Sequence, residues 1–321
     1  MKAVNSLASI RVRYQASTAI AIITAGIFGM AGAVQAAEVR HEEGEWLKPS
    51  GKGWGELDPS GETARNAQKL AKRQKANGIN YYGGPVMLGT PNIYYIWYGT
   101  WVNTAQTILR DLASTLNSSP WENINTTYFD GTGAHVTGSV TFKGETTDNY
   151  SQGTALSDAQ IQTIVSNALT LGGLPTDTNG IYFVLTSADV NETSGFCTQY
   201  CGWHTHGTIA GNDIKYAFVG NAARCPAACT NGTAPPNGDV GADGMASIIA
   251  HEQVEAVSDP DLNAWYDQRG QENADKCAWT FGTTYTTSNG GVANMRLGAR
   301  DFLIQQNWVN ASGGYCAKSY P

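Results

Sequence analysis

The segment IIAHEQVEAVSDPDLNAW, from Ile248 to Trp265, sets His251 and Glu255 four residues apart with Glu252 between them. Positions four apart share one face of a helix, so His251 and Glu255 can reach a single ion, while Glu252, one step round, can address a water beside it. This is the geometry of the HExxH zinc helix with glutamate in the second ligand position, and zinc accepts a carboxylate oxygen. Glu252 is then the candidate general base. A catalytic zinc needs a third protein ligand, for which Asp259, Asp261 and Glu272 compete, together with Asp275. His204 or His206, in a CGWHTHG stretch that reads as a surface loop, is a further candidate. Asp261 lies ten residues beyond His251, where HExxHxxGxxD places its third ligand, but Ser258 stands in the glycine position and Pro260 intervenes. The sequence leaves the choice open.

The competing reading makes HEQVE the polar face of a helix end, with its carboxylates held by hydrogen bonds. Two features weigh against it. MASIIA precedes the pair, so the helix enters an apolar, packed setting in which an unpaired charge is costly. Three of the chain's five histidines also fall in HTH and HEQVE.

The elements that must position these residues alternate. NIYYIWYG reads as a strand, VNTAQTILRDLASTLNSS as a helix with Ile108, Leu109, Leu112 and Leu116 inward, and AHVTGSVTFKG as a strand. LSDAQIQTIVSNALTLGG is a second helix capped by Ser157, IYFVLTS and KYAFVG are buried strands, and GMASIIAHEQVEAVS is a third helix with Asp243 as its expected N-cap. After Asp259 loops and short strands follow. The alternation predicts a layered α/β domain, mixed α+β in detail, with a mostly parallel mixed sheet. Asp239 and Asp243 in PNGDVGADG lack the ligand spacing of a calcium loop and read as turn and cap residues. Trp97, Tyr98, Trp101, Trp203, Trp265 and Tyr266 could line a glycan or peptide groove, although aromatic residues in strands more often fill a core.

Lys2, Arg11 and Arg13 followed by the apolar run from Ala19 to Val34 and Gln35-Ala36-Ala37 read as a signal peptide over residues 1–36, cleaved near Ala36. The expected product is secreted, with no membrane span in the mature chain. Without those three cations, 17 basic residues face 27 acidic ones, which argues against nucleic acid as a partner. Residues 37–82 are charged, contain one helical pattern, ETARNAQKLAKRQKAN, and read as a linker, pro-segment or lid before a domain over 83–321. In an exported chain Cys197, Cys201, Cys225, Cys229, Cys277 and Cys316 are expected to form disulfides, and the late pair Cys277 with Cys316 is the one pairing assigned.

The blocks YYGGPVMLGTPNIYYIWYGTW, YFVLTSADVNETSGFCTQYCGWHTH, YAFVGNAARCPAAC and PNGDVGADGMASIIAHE together resemble the phosphate-induced protein 1 family, whose plant members are the EXORDIUM proteins. The resemblance implies an extracellular protein of the cell wall or apoplast. HEQVEAVSDP departs from the plant pattern and resembles the HExxEAxTDP segment of microbial relatives, which is similar to zincin peptidases. That implies a zincin-like active-site helix, bound Zn2+ and a metallopeptidase acting on peptide or protein substrates, with His251 and Glu255 as ligands. The alternative is a non-enzymatic wall, glycan or protein binder. A zymogen masked by the segment before Asn80 is a third possibility.

Overall fold

The computed structural model describes residues 78–321. The signal peptide, the helical pattern of the charged segment and the masking role suggested for it fall before residue 78, outside the described residues. The short strand β1 (Asn80–Tyr81) opens the fold. The central sheet uses β2 (Asn92–Tyr98), β3 (Thr141–Asp148), β4 (Gly180–Thr186), β5 (Gly202–Ile209) and β6 (Asn212–Val219), in the order β3-β2-β4-β6-β5. The pairs β2–β3, β2–β4 and β4–β6 are parallel, and β5 closes one edge antiparallel to β6. β2 and β4 are buried almost throughout, as interior strands covered on both faces must be.

Helix α1 (Asn103–Thr115) buries Ile108, Leu109 and Leu112, and α2 (Asp158–Thr170) buries Ile161, Ile164 and Val165. Ser157 and Gln160 form a capping box at the start of α2, which fixes the entry of the chain into that helix. Helix α3 (Val240–Ser258) differs from both, since nearly every residue from Gly241 to Ser258 is buried, its polar ones included. It packs against α1, β5, β6 and the 3-10 turn Glu122–Thr127, so no side is left to water. The three disulfides are Cys197–Cys225, Cys201–Cys229 and Cys277–Cys316.

Two local expectations change. The cap of α3 is Asp239, whose side chain accepts from the Ala242 N–H at 2.9 Å; Asp243 lies inside the first turns and accepts from the backbone and side chain of Asn237. The CGWHTHG stretch is the start of β5 rather than a surface loop, because its backbone pairs with β6 from Gly202 to Ile209. Side chains two apart on a strand share a face, so His204 and His206 point the same way. Of the aromatic residues considered for a groove, Trp97, Tyr98, Trp203, Trp265 and Tyr266 are core, at most 4% exposed.

β5 crosses α3 closely. A Cβ on Gly202 would stand 2.6 Å from Ile248 Cγ2, 2.9 Å from the Phe218 carbonyl oxygen and 3.2 Å from Glu252 Oε1. Only a residue without a side chain lets strand and helix approach this far. Gly202→Ala is expected to cost about 1–3 kcal/mol of stability by overpacking, read as a lowered urea midpoint with an unchanged slope; a midpoint equal to wild type would contradict this packing.

Candidate metal centre

Three stretches of chain converge on one turn of α3. The helix contributes His251, Glu252 and Glu255. The edge strand β5 lays His204 over them, and the connection after β7 (Trp265–Tyr266), which pairs antiparallel with β1, brings Glu272 and Asp275. His204 Nδ1 lies 3.5 Å from Glu252 Oε2 and 3.8 Å from Glu255 Oε2, and its Nε2 lies 3.8 Å from Glu272 Oε1. His251 Nε2 lies 3.0 Å from Glu255 Oε1 and 3.6 Å from Asp275 Oδ1. His204, Glu255 and Glu272 form one grouping of ligand atoms and His251, Glu252 and Glu255 another, so Glu255 is common to both.

The donors fit a small divalent cation. Ligand atoms at roughly 2.0–2.1 Å from a tetrahedral zinc stand about 3.3–3.4 Å apart, inside the range of separations found here. The chemistry of the set also requires compensation: Glu252, Glu255, Asp259, Glu272 and Asp275 are all buried beside two histidines. Lys215 and Lys276, whose side chains are largely buried, are engaged with Asp213 and Asp261 and with Asp267 respectively. Glu255 Oε2, Asp275 Oδ1 and His204 Nδ1 are buried without a hydrogen bond among the described residues.

Electrostatics follow from the same crowding. Burial pulls His204 down to about 3, which leaves it neutral and able to ligate at neutral pH. Burial acts on His251 in the same sense, but the Glu255 and Asp275 carboxylates outweigh it and carry the ring up to about 10. Burial pushes Glu255 up to about 7 against the pull of His251. Without a cation, His251 is itself the positive charge of the cluster.

The remaining candidates have other neighbours. The Asp259 carboxylate accepts the N–H groups of Asn263 and Ala264, both at 2.6 Å, and only its carbonyl oxygen approaches His204. Asp261 lies 3.7 Å from His206 and 3.5 Å from Lys215, in a separate, partly exposed cluster with Asp213. Gln305, whose side-chain amide meets His251 Nδ1, carries no signal in the sequence, since it lies 54 residues beyond the histidine and in no motif.

The phosphate-induced protein 1 conserved region matches residues 79–300, a span that takes in every ligand candidate. The chain belongs to this family. It is similar to EXORDIUM-like 3 of Arabidopsis thaliana, with 34% identity over 74% of this chain and 82% of the relative. EXORDIUM-like 5 of the same plant is 33% identical, covering 78% and 81%, and PHOSPHATE-INDUCED 1 of Nicotiana tabacum is 26% identical, covering 63% and 72%. No solved structure matches the chain.

Below the cluster, Gln253 of α3 reaches Glu122, which is fully buried and also accepts from Asn125 Nδ2. Burial raises Glu122 to about 7, against hydrogen bonds that act to lower it. A carboxyl that holds its proton more tightly folded than unfolded makes stability fall as pH rises from about 4.5 to about 7. Glu122→Gln removes this dependence, so its stability relative to wild type is expected to rise across that window, by up to about 3 kcal/mol above it. Parallel stability–pH curves for the two proteins would refute the assignment.

Proposed function

We propose that this EXORDIUM-like protein is exported, binds one zinc ion at the α3 cluster, and hydrolyses peptide bonds there. His251 and Glu255 are the ligands from the helix and His204 of β5 is the third, which leaves one position of a tetrahedral zinc open to water. The reading rests on one observation above all: a second histidine, distant in sequence, is buried against the carboxylates of the HEQVE turn. The order of strands and helices, with α3 as the helix that carries HE following the strands of the sheet, suits a zincin-like layout. Three disulfides fit an oxidising compartment, and no helix among the described residues is long and apolar enough to cross a membrane.

Bound zinc supplies Lewis acidity toward a carbonyl and makes water nucleophilic near neutral pH. Glu252 is the base: its carboxylate takes the proton of the attacking water and passes it to the leaving amine. His204 stays neutral and orients toward the same point, and the buried walls exclude bulk water.

A second reading has its own support. His251, Glu252 and Glu255 are at most 1% exposed, as suits a cation held for stability in a non-enzymatic extracellular protein. Metal analysis of the mature protein separates the cases. Zinc near one equivalent in wild type and absent from His251→Ala supports the site; a metal-free wild type removes it. With zinc retained, Glu252→Gln is expected to lower peptide hydrolysis at least about 100-fold. No hydrolysis by zinc-loaded wild type, with a melting temperature that falls on chelation, would select the structural reading.

A further inference from the structure

Gln305 lies in the segment between Arg300–Phe302 and Asn307–Val309 and is fully buried. Its backbone is held on both sides. The N–H donates to Ser247 Oγ at 3.2 Å, one turn before His251 on α3, and the carbonyl oxygen accepts from Trp121 Nε1 at 3.0 Å. This clamp aims the side-chain amide at His251, where Gln305 Nε2 meets the ring at Nδ1. The other amide contact, Nε2 to the Ala274 carbonyl oxygen, is long at 3.5 Å, and Gln305 Oε1 is buried without a hydrogen bond among the described residues.

Nε2 of the ring faces Glu255 and Asp275, and Nδ1 faces the Gln305 amide. A cation at Nε2 leaves the ring proton on Nδ1, where it needs an acceptor. Half a turn of the Gln305 amide supplies that acceptor, because Oε1 has no donor to give up. A carboxylate at this place would also accept, but it would add a sixth acid to the cluster. An aliphatic side chain offers no acceptor.

We propose that Gln305 is the positioning residue that fixes the His251 ring for metal binding, its amide oxygen accepting from Nδ1–H so that Nε2 faces the cluster as the ligand atom. This rests on the cation reading above. It assigns a role to a residue beyond the span matched by the family and outside every motif of the sequence.

The test uses the mature, zinc-stripped protein. Zinc affinity is measured by competition with a chromophoric chelator for wild type and Gln305→Met, a near-isosteric side chain without the amide, with the melting temperature of each metal-free form alongside. The expected result is zinc binding weakened about 10- to 100-fold in the variant. Affinities within threefold of each other overturn the assignment. Nitrogen-15 NMR of the zinc-loaded wild type gives a readout that needs no variant to fold: the His251 ring is expected to show a slowly exchanging proton on Nδ1, and a proton on Nε2 overturns the proposal. A wild type that takes up no zinc removes the cation reading and the role of Gln305 with it, whereas zinc bound equally by both proteins removes the role of Gln305 alone.

Discussion

Two histidines and five carboxylates shut away from water around one turn of α3 are the constraint to which the surrounding structure answers. Each carboxylate taken out of water incurs a desolvation cost of several kcal/mol unless a charge or a set of donors replaces the solvent. The protein meets part of this requirement with its own groups. Asp259 is satisfied by two backbone N–H groups, Glu255 Oε1 accepts from the Asp275 N–H, and burial raises the proton affinity of Glu255 and Asp259 to about 7. What remains is a concentrated demand for positive charge, met by the His251 ring in the metal-free protein and by a divalent ion in the proposed one.

Holding such a cluster together requires distant pieces of chain to be fixed before the charges meet. The disulfides Cys197–Cys225 and Cys201–Cys229 tie the loop entering β5 to the segment leading toward α3, each across 28 residues. Cys277–Cys316 fastens the stretch that follows Glu272 and Asp275. Loops of this size correspond to about 3–4 kcal/mol of unfolded-state entropy per bridge in the chain-entropy account. Gly202 then admits β5 to within contact of α3, and His204 arrives two residues later. The histidine is therefore placed by a crosslink and a missing side chain, neither of which is adjacent to it on the helix it serves.

The sequence made legible those features that depend on local pattern. Periodicity identified α1, α2 and the buried strands, Ser157 announced its own cap, and HEQVE exposed the helical half of the site. The cap of α3 was misplaced by four residues because Asp239 and Asp243 both suit a helix start, and only the Ala242 N–H decides between them. CGWHTHG read as loop because its glycines and flanking cysteines are turn signals, while its strand character comes from pairing with β6, a long-range fact. The choice among Asp259, Asp261, Glu272 and Asp275 is open in the sequence for the same reason: all lie beyond the end of α3, in loops and one short 3-10 turn, where spacing carries no direction. Gln305 was invisible, since its importance lies wholly in what it faces.

Family membership and site chemistry stand on different footing. The relatives are matched over most of their lengths, which transfers the scaffold, but a scaffold does not fix the chemistry of a cluster set into it. The chemistry has to come from the α3 turn, where one property bears on both readings. Full burial strengthens every electrostatic interaction of Glu252 and the histidines, as catalysis demands, and it also removes the open position that a substrate carbonyl must reach. A structural cation needs only the first effect. A peptidase needs the same low-dielectric cluster plus a motion that brings substrate to Glu252, so hydrolysis depends on how readily the chain around the cluster opens, a quantity distinct from the affinity of the site for its ion.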